Sequence, residues 1–194
     1  MLNINDGSAG EFKSYIKYNA KAGRWYTRKD GEEVEVLNPT FVADLDNIKT
    51  GWMWFATGIA PNIVYDPSLS VQSPKPSDDH KKGFEFNVFS QLQLGGVCVF
   101  SSTSGIVGGV IKDLYSQYEA EKAANVGSLP VIECSGVTPE TGKHGTNYRP
   151  KMKIVKWTKR PDAFDDVSYV ETAPTQQAAK TAPDVAVSNS VSEF

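Results

Sequence analysis

The sequence predicts a mainly β body carrying one helix, followed by a tail that does not pack. Three observations predict it. Apolar and polar residues alternate over several short runs between residues 12 and 158, which is the period of half-buried strands. Only Thr103 to Asn125 carries apolar residues at helical spacing. From Pro161 to Phe194 the chain is rich in Ala, Thr, Ser and Pro and poor in large apolar side chains, a composition that buries too little surface to order itself.

Residues 1–10 are polar and contain Gly and Ser, so they read as a flexible N-terminal arm. Phe12 to Arg28, FKSYIKYNAKAGRWYTR, reads as two strands joined through Asn19 to Gly23, with Gly23 able to take a positive φ. Alternation puts Lys13, Tyr15 and Lys17 on one face and Phe12, Ile16 and Tyr18 on the other. In the second strand Arg24, Tyr26 and Arg28 fall together, opposite Trp25 and Thr27. Cations interleaved with rings suit single-stranded nucleic acid, because rings stack on unpaired bases while Lys and Arg neutralise phosphates. The same residues also suit an ordinary half-buried hairpin with a solvated basic face.

Asp30-Gly31 is a reversal signal. Val34, Val36 and Thr40 to Leu45 read as strand, interrupted at Asn38-Pro39, and Lys49 to Ala56 is the next strand, with Trp52 and Trp54 on one side and Met53 and Phe55 on the other. Ala60 to Lys82 carries four prolines and the charged run Asp78-Asp79-His80-Lys81-Lys82, which predicts a long loop. Strands resume at Gly83 to Gln91 and Gly95 to Ser101. The helix presents Val107, Val110, Ile111, Leu114 and Tyr118 on one face, and Gly108-Gly109 within it predicts close packing on a sheet. Leu129 to Val137 and Lys151 to Thr158 are the last strands. The link between them concentrates Lys143, His144, Tyr148 and Arg149 among turn formers.

Bulk properties narrow the classes. A chain of 194 residues, 40% hydrophobic and 22% charged, supports one globular body, here residues 11–160. No apolar run approaches the roughly 20 residues of a membrane span, and the N-terminus lacks the basic and apolar regions of a secretion signal. A cytoplasmic protein with no membrane association is therefore expected. Cys98 and Cys134 lie in apolar runs and are expected reduced. Two cysteines and two histidines at these spacings do not make a zinc site, and no cofactor is expected. From Pro161 onward six acids face one base, a net of −5 within a total of −3, which leaves residues 1–160 at +2. A mildly basic body with an acidic tail suits a polyanion ligand.

Enzyme motifs fail. Gly136 to His144, GVTPETGKH, imitates a phosphate-binding loop but has five residues between its glycines where the pattern needs four, and His follows the Lys. No GxSxG occurs, and neither cysteine adjoins a histidine. Asp78-Asp79-His80 reads as a solvated loop rather than a metal site. Strands, one helix, then two strands ending in a basic aromatic loop is the order of an OB-fold, a five-stranded barrel that binds oligonucleotides with its strand face and loops. Extra strands precede the helix here, and a generic α+β domain has the same order.

The phrases YIKYNAKAGRWY, PTFVADLDNIKTGWMWF, KPSDDHKKGF and GVTPETGKHGTNYRPKMKIVKW resemble bacteriophage single-stranded DNA-binding proteins with an OB-fold, over roughly residues 12 to 160. The resemblance implies a non-enzymatic accessory of DNA replication or recombination that coats single strands. It also implies an acidic C-terminal tail that recruits replication partners, with Asp184, Glu193 and Phe194 as its candidate contacts. Glu193 beside Phe194 fits, although no run of acids precedes it. On chemistry, Lys17, Lys21, Arg24, Lys143 and Arg149 are the candidate phosphate ligands. Trp25, Tyr26, Trp52, Trp54 and Tyr148 are the candidate stacking rings, and His144 suits either role. The alternative is a β-protein of a virion with a structural role, or one that binds carbohydrate or protein through the same exposed rings.

Overall fold

The structure is a computed structural model and describes residues 14–56, 60–143 and 145–165. Among these, the chain runs β1 (Tyr15–Asn19), β2 (Arg24–Lys29), β3 (Glu32–Val36), β4 (Thr40–Ala43), β5 (Lys49–Trp54), β6 (Asn62–Tyr65) and β7 (Lys81–Ser90). A single helical turn, α1 (Gln91–Leu94), leads to β8 (Gly96–Ser102), the long helix α2 (Gly105–Glu121), β9 (Ser128–Gly142) and β10 (Gly145–Lys159). All ten strands join one sheet in the order β10-β9-β4-β7-β8-β1-β2-β3, with β5 paired to β7 and β6 to β5. The protein is thus mainly β with one long helix.

The opening hairpin forms for the reasons its residues supply. Gly23 sits at φ +69, its amide donates to Asn19 O at 2.8 Å, and the Asn19 side-chain oxygen accepts from the Lys21 and Ala22 amides. The next reversal uses Asp30 and Gly31, both at positive φ, the two-residue turn whose twist matches antiparallel strands. The hairpin then joins the sheet by an unexpected route, since β1 lies parallel to β8, Tyr15 opposite Val99 and Ile16 opposite Phe100.

The sheet curls so that β10 reaches the β1–β2 hairpin. The Tyr148 amide on β10 donates to Ala20 O in the β1–β2 turn at 2.7 Å, and the Tyr18 hydroxyl donates to Tyr148 O at 2.8 Å. Burial, with Cys134 nearby, pushes the Tyr18 hydroxyl up to about 12, so it remains a donor at any physiological pH. Inside the curl, Ile16, Trp25, Phe41, Phe84, Phe86 and Phe100 pack against Val107, Ile111, Leu114 and Tyr118 of α2. These are the helix residues that the spacing selected. Cys98 and Cys134 are both buried free thiols, and burial pushes both up and leaves them inert.

Four local expectations change. The stretch from 60 to 82 contains β6 and a Ser68–Val71 bridge, and is held by buried hydrogen bonds described below. The predicted link 138–150 is the distal half of a two-stranded ribbon, with Pro139 opposite Tyr148 and Thr141 opposite Thr146. Residues 138–143 at its tip are exposed on both sides, so they carry no apolar period. Gly108 has open space where a Cβ would stand, and Gly109 faces the Arg149 guanidinium at 3.4 Å rather than a sheet backbone. Finally, residues 161–165 belong to the body. Phe164 is only 1% exposed and packs on Phe89, while Arg160 grips the fully buried Asp44 with both guanidinium nitrogens, at 2.8 and 2.9 Å.

Candidate nucleic-acid interface

The outward face of the β1–β2 hairpin carries Tyr15, Lys17, Arg24 and Tyr26, as alternation requires. Its charge is partly offset by its neighbour. β3 sets Glu35 opposite Tyr26 and Glu33 opposite Arg28. Glu33 pairs with Lys17, and Glu35 accepts from Arg24 at 2.7 Å. Exposed pairs of this kind hold loosely, about 0–1 kcal/mol each, so they reduce rather than abolish the attraction for a polyanion. Trp25 is a correction. It is 5% exposed, with its ring centroid 4.8 Å from Tyr18 and 5.2 Å from Phe100. It belongs to the core because it points inward from β2 together with Thr27.

A denser constellation lies on the β5–β6 arm. Trp52 and Trp54 share one side of β5, both half-buried, while Met53 on the other side is 1% exposed. The Trp52 indole N–H donates to Ser73 O at 2.7 Å. The ammonium groups of Lys82 and Lys75 stand 5.3 and 5.8 Å from its ring, within cation–π range. Beneath them Asp66 ties the segment down. Its carboxylate accepts from the Thr50 hydroxyl, the Lys82 ammonium and, at 2.9 Å, the Ser73 amide. Burial pushes the Asp66 carboxyl up, but those three donors outweigh it and hold the group below the usual carboxylate range. On the other side of the arm Lys49 lies 5.1 Å from the Tyr65 ring, whose hydroxyl donates to Glu85 at 2.9 Å. Phe55 is 47% exposed.

Next to Trp54 sits His80, at a ring distance of 6.5 Å and only 6% exposed. Its Nδ1 meets the Ser77 hydroxyl at 2.8 Å, and its Nε2 is buried with no partner among the described residues. A buried polar nitrogen left unpaired costs about 1–3 kcal/mol.

The third region is the β9–β10 ribbon. Lys143 is exposed at its turn, and His144 lies outside the described residues. Tyr148 is half-buried against the β1–β2 turn, where a Cβ at Gly23 would stand 3.1 Å from its Cβ and Cγ. Gly23 is therefore required twice, for its φ and for this contact. The same contact brings the turn carrying Lys21 beside Tyr148. Arg149 instead turns to α2, donating to Asp113 at 2.9 Å with Glu140 at 3.9 Å. It forms the rim of a groove of about 460 Å³, together with Lys151 and Lys153, above Val110, Leu114 and Met152.

The site therefore differs from the predicted set. Trp52 and Trp54 are brought together with Lys75 and Lys82, which spacing alone did not select. The signal was available in the register that places KTGWMW beside KKGF. Also unselected were Lys151, Lys153, Lys156 and Lys159 on β10, although Thr141 to Pro161 contains seven bases and no acid. Among the described residues Lys153 pairs with Glu133 at 3.2 Å, and no acid pairs with Lys151, Lys156 or Lys159. Asp184, Glu193 and Phe194 lie outside the described residues. Among the described residues no group of three or more His, Cys, Asp or Glu could hold a metal ion, and no helix is long and apolar enough to cross a membrane. Comparison with models of known families, with curated proteins and with solved structures gave no match.

Proposed function

We propose that the protein is a non-enzymatic OB-fold protein that binds single-stranded DNA, by stacking of bases on aromatic rings and neutralisation of phosphates. The observation that carries this is the strand order. β9-β4-β7-β8 is a Greek key, in which three antiparallel strands are followed by a fourth that returns beside the first. α2 lies between the third and fourth members, and β10 is the fifth. With this correspondence the loop between strands one and two is the β5–β6 arm with Trp52, Trp54, Lys75 and Lys82. The loop between strands four and five is the ribbon tip with Lys143. Those two loops and the face between them are where OB-folds hold oligonucleotides. The β1–β3 meander is an addition, inserted where β8 and β10 would otherwise close.

A role in phage DNA replication or recombination, in the host cytoplasm, follows from the sequence resemblance. So does recruitment of partner proteins through Asp184, Glu193 and Phe194. Sequence preference is slight on this reading, because every base offers a π-face. The test is a titration of tryptophan fluorescence with oligo-dT at several salt concentrations, on the parent and on Trp54→Ala and Lys82→Ala. Saturable quenching that weakens linearly in log–log salt, and is reduced in both variants, supports the proposal. Absence of binding at low salt overturns it.

The glutamates that neutralise the β1–β2 face favour a second reading, a virion β-protein that binds a neutral or protein ligand. Its binding has no counterion-release dependence on salt.

A further inference from the structure

We infer that His80 Nε2 is a recognition atom for the edge of a nucleobase stacked on Trp54. This rests on the nucleic-acid reading and adds to it one position that discriminates between bases. Three observations converge. His80 is 6% exposed, and among the described residues its Nε2 has no hydrogen-bond partner while Nδ1 meets the Ser77 hydroxyl at 2.8 Å. In either tautomer, therefore, Nε2 presents one unused donor or acceptor. The Trp54 ring lies 6.5 Å away, half-buried, on the strand that also carries Trp52. Lys81 and Lys82 follow directly and are exposed, Lys82 over the neighbouring Trp52 ring, so cations stand close to a base seated here.

The cover over this place is lightly held. His80 lies beneath the turn that begins at Ser77, whose carbonyl accepts from the His80 amide at 3.2 Å. That segment is otherwise held by exposed contacts, Lys75 to the Asp78 carbonyl at 3.2 Å and to its carboxylate at 3.6 Å. A base entering against Trp54 displaces these weak contacts and supplies the partner that Nε2 lacks. Stacking accepts any base. A single buried ring nitrogen accepts only the edge whose donor or acceptor complements it.

The test is fluorescence anisotropy of labelled dT, dC and dA 12-mers at one fixed salt concentration, on the full chain, the His80→Phe variant and the Ser77→Ala variant. The parent is expected to prefer one homopolymer by about threefold to tenfold, the range of one hydrogen bond. His80→Phe keeps a ring of similar size and should level the three affinities while retaining binding. Ser77→Ala removes the hydroxyl that orients the His80 ring and should shrink the preference while retaining binding, so it decides the matter if the phenylalanine variant does not fold. Tight binding with no preference in the parent, or an unchanged preference in the variants, overturns the inference and leaves the DNA reading standing. Binding of none of the three overturns both.

Discussion

Replacing Arg160 by alanine removes the one cation that, among the described residues, pairs with a buried carboxylate, Asp44. Asp44 is 0% exposed, and it receives two hydrogen bonds from Arg160 and two from the Asn47 amide at 3.0 and 2.9 Å. The paired carboxylate raises the Arg160 guanidinium further above its already high value. Breaking a buried pair from one side costs about 3–5 kcal/mol, because the remaining charge keeps its desolvation penalty. Arg160 itself is 29% exposed and the Asn47 amide stays, so the lower end applies, about 3 kcal/mol. At roughly 2–4 °C per kcal/mol for a body of this size, Tm falls by about 6–12 °C. Urea and thermal unfolding followed by tryptophan fluorescence measure it. Adding Asp44→Asn to Arg160→Ala should recover part of the loss, since a buried amide has no charge to desolvate. A loss under about 1 kcal/mol, or no recovery in the double variant, refutes the assignment of a buried charge pair that anchors the segment around Arg160.

Phe164→Ala empties a buried aromatic site and should cost about 3–5 kcal/mol in the same unfolding assay, whereas a residue in an unpacked tail costs nothing. Glu33→Gln with Glu35→Gln frees Lys17 and Arg24, and should strengthen oligo-dT binding and steepen its log–log salt slope by up to about 1.4, or 0.7 per added phosphate contact. Lys151, Lys153 and Lys156 changed together to Ala should flatten that slope only where the strand continues along β10, which salt-titrated anisotropy detects. Because the folded-state value of Asp66 is lowered, its stabilisation is present above the ordinary carboxylate value and is lost as pH falls through the lowered one. Trp52 fluorescence should therefore change only below about pH 4, and Asp66→Asn should abolish that transition.

Strand and helix positions were legible where one face is buried. Ile16, Tyr18 and Trp25 alternate because they fill the curl, and Val107 to Tyr118 repeat at helical spacing because one side of α2 does the same. The ribbon tip from 138 to 145 was not legible, since a solvated two-stranded extension imposes no period on its side chains. β6 was hidden by the surrounding prolines, and its role depends on Asp66 meeting Lys82, sixteen residues away. Pairing partners were the larger gap. Nothing in FKSYIKYNAKAGRWYTR announces that β3 will bring Glu33 and Glu35 against its cations, or that Trp25 will meet Phe100. The boundary at residue 160 was missed for a similar reason, because one phenylalanine in a polar stretch becomes visible only when its pocket beside Phe89 is known.

The pairing of β1 with β8 has a consequence for how the chain is made. During synthesis the first strand emerges more than eighty residues before the strand it lies against, and its turn waits still longer for Tyr148. The β1–β2 hairpin can form early, since its turn is local, yet its aromatic face around Tyr18 and Trp25 stays uncovered until the far partners arrive. Such long-range closure slows folding and leaves sticky intermediates in the interval. The nascent chain therefore carries its greatest aggregation risk between the emergence of Trp25 and the release of the last strand, and faster translation of residues 30–160 shortens that window.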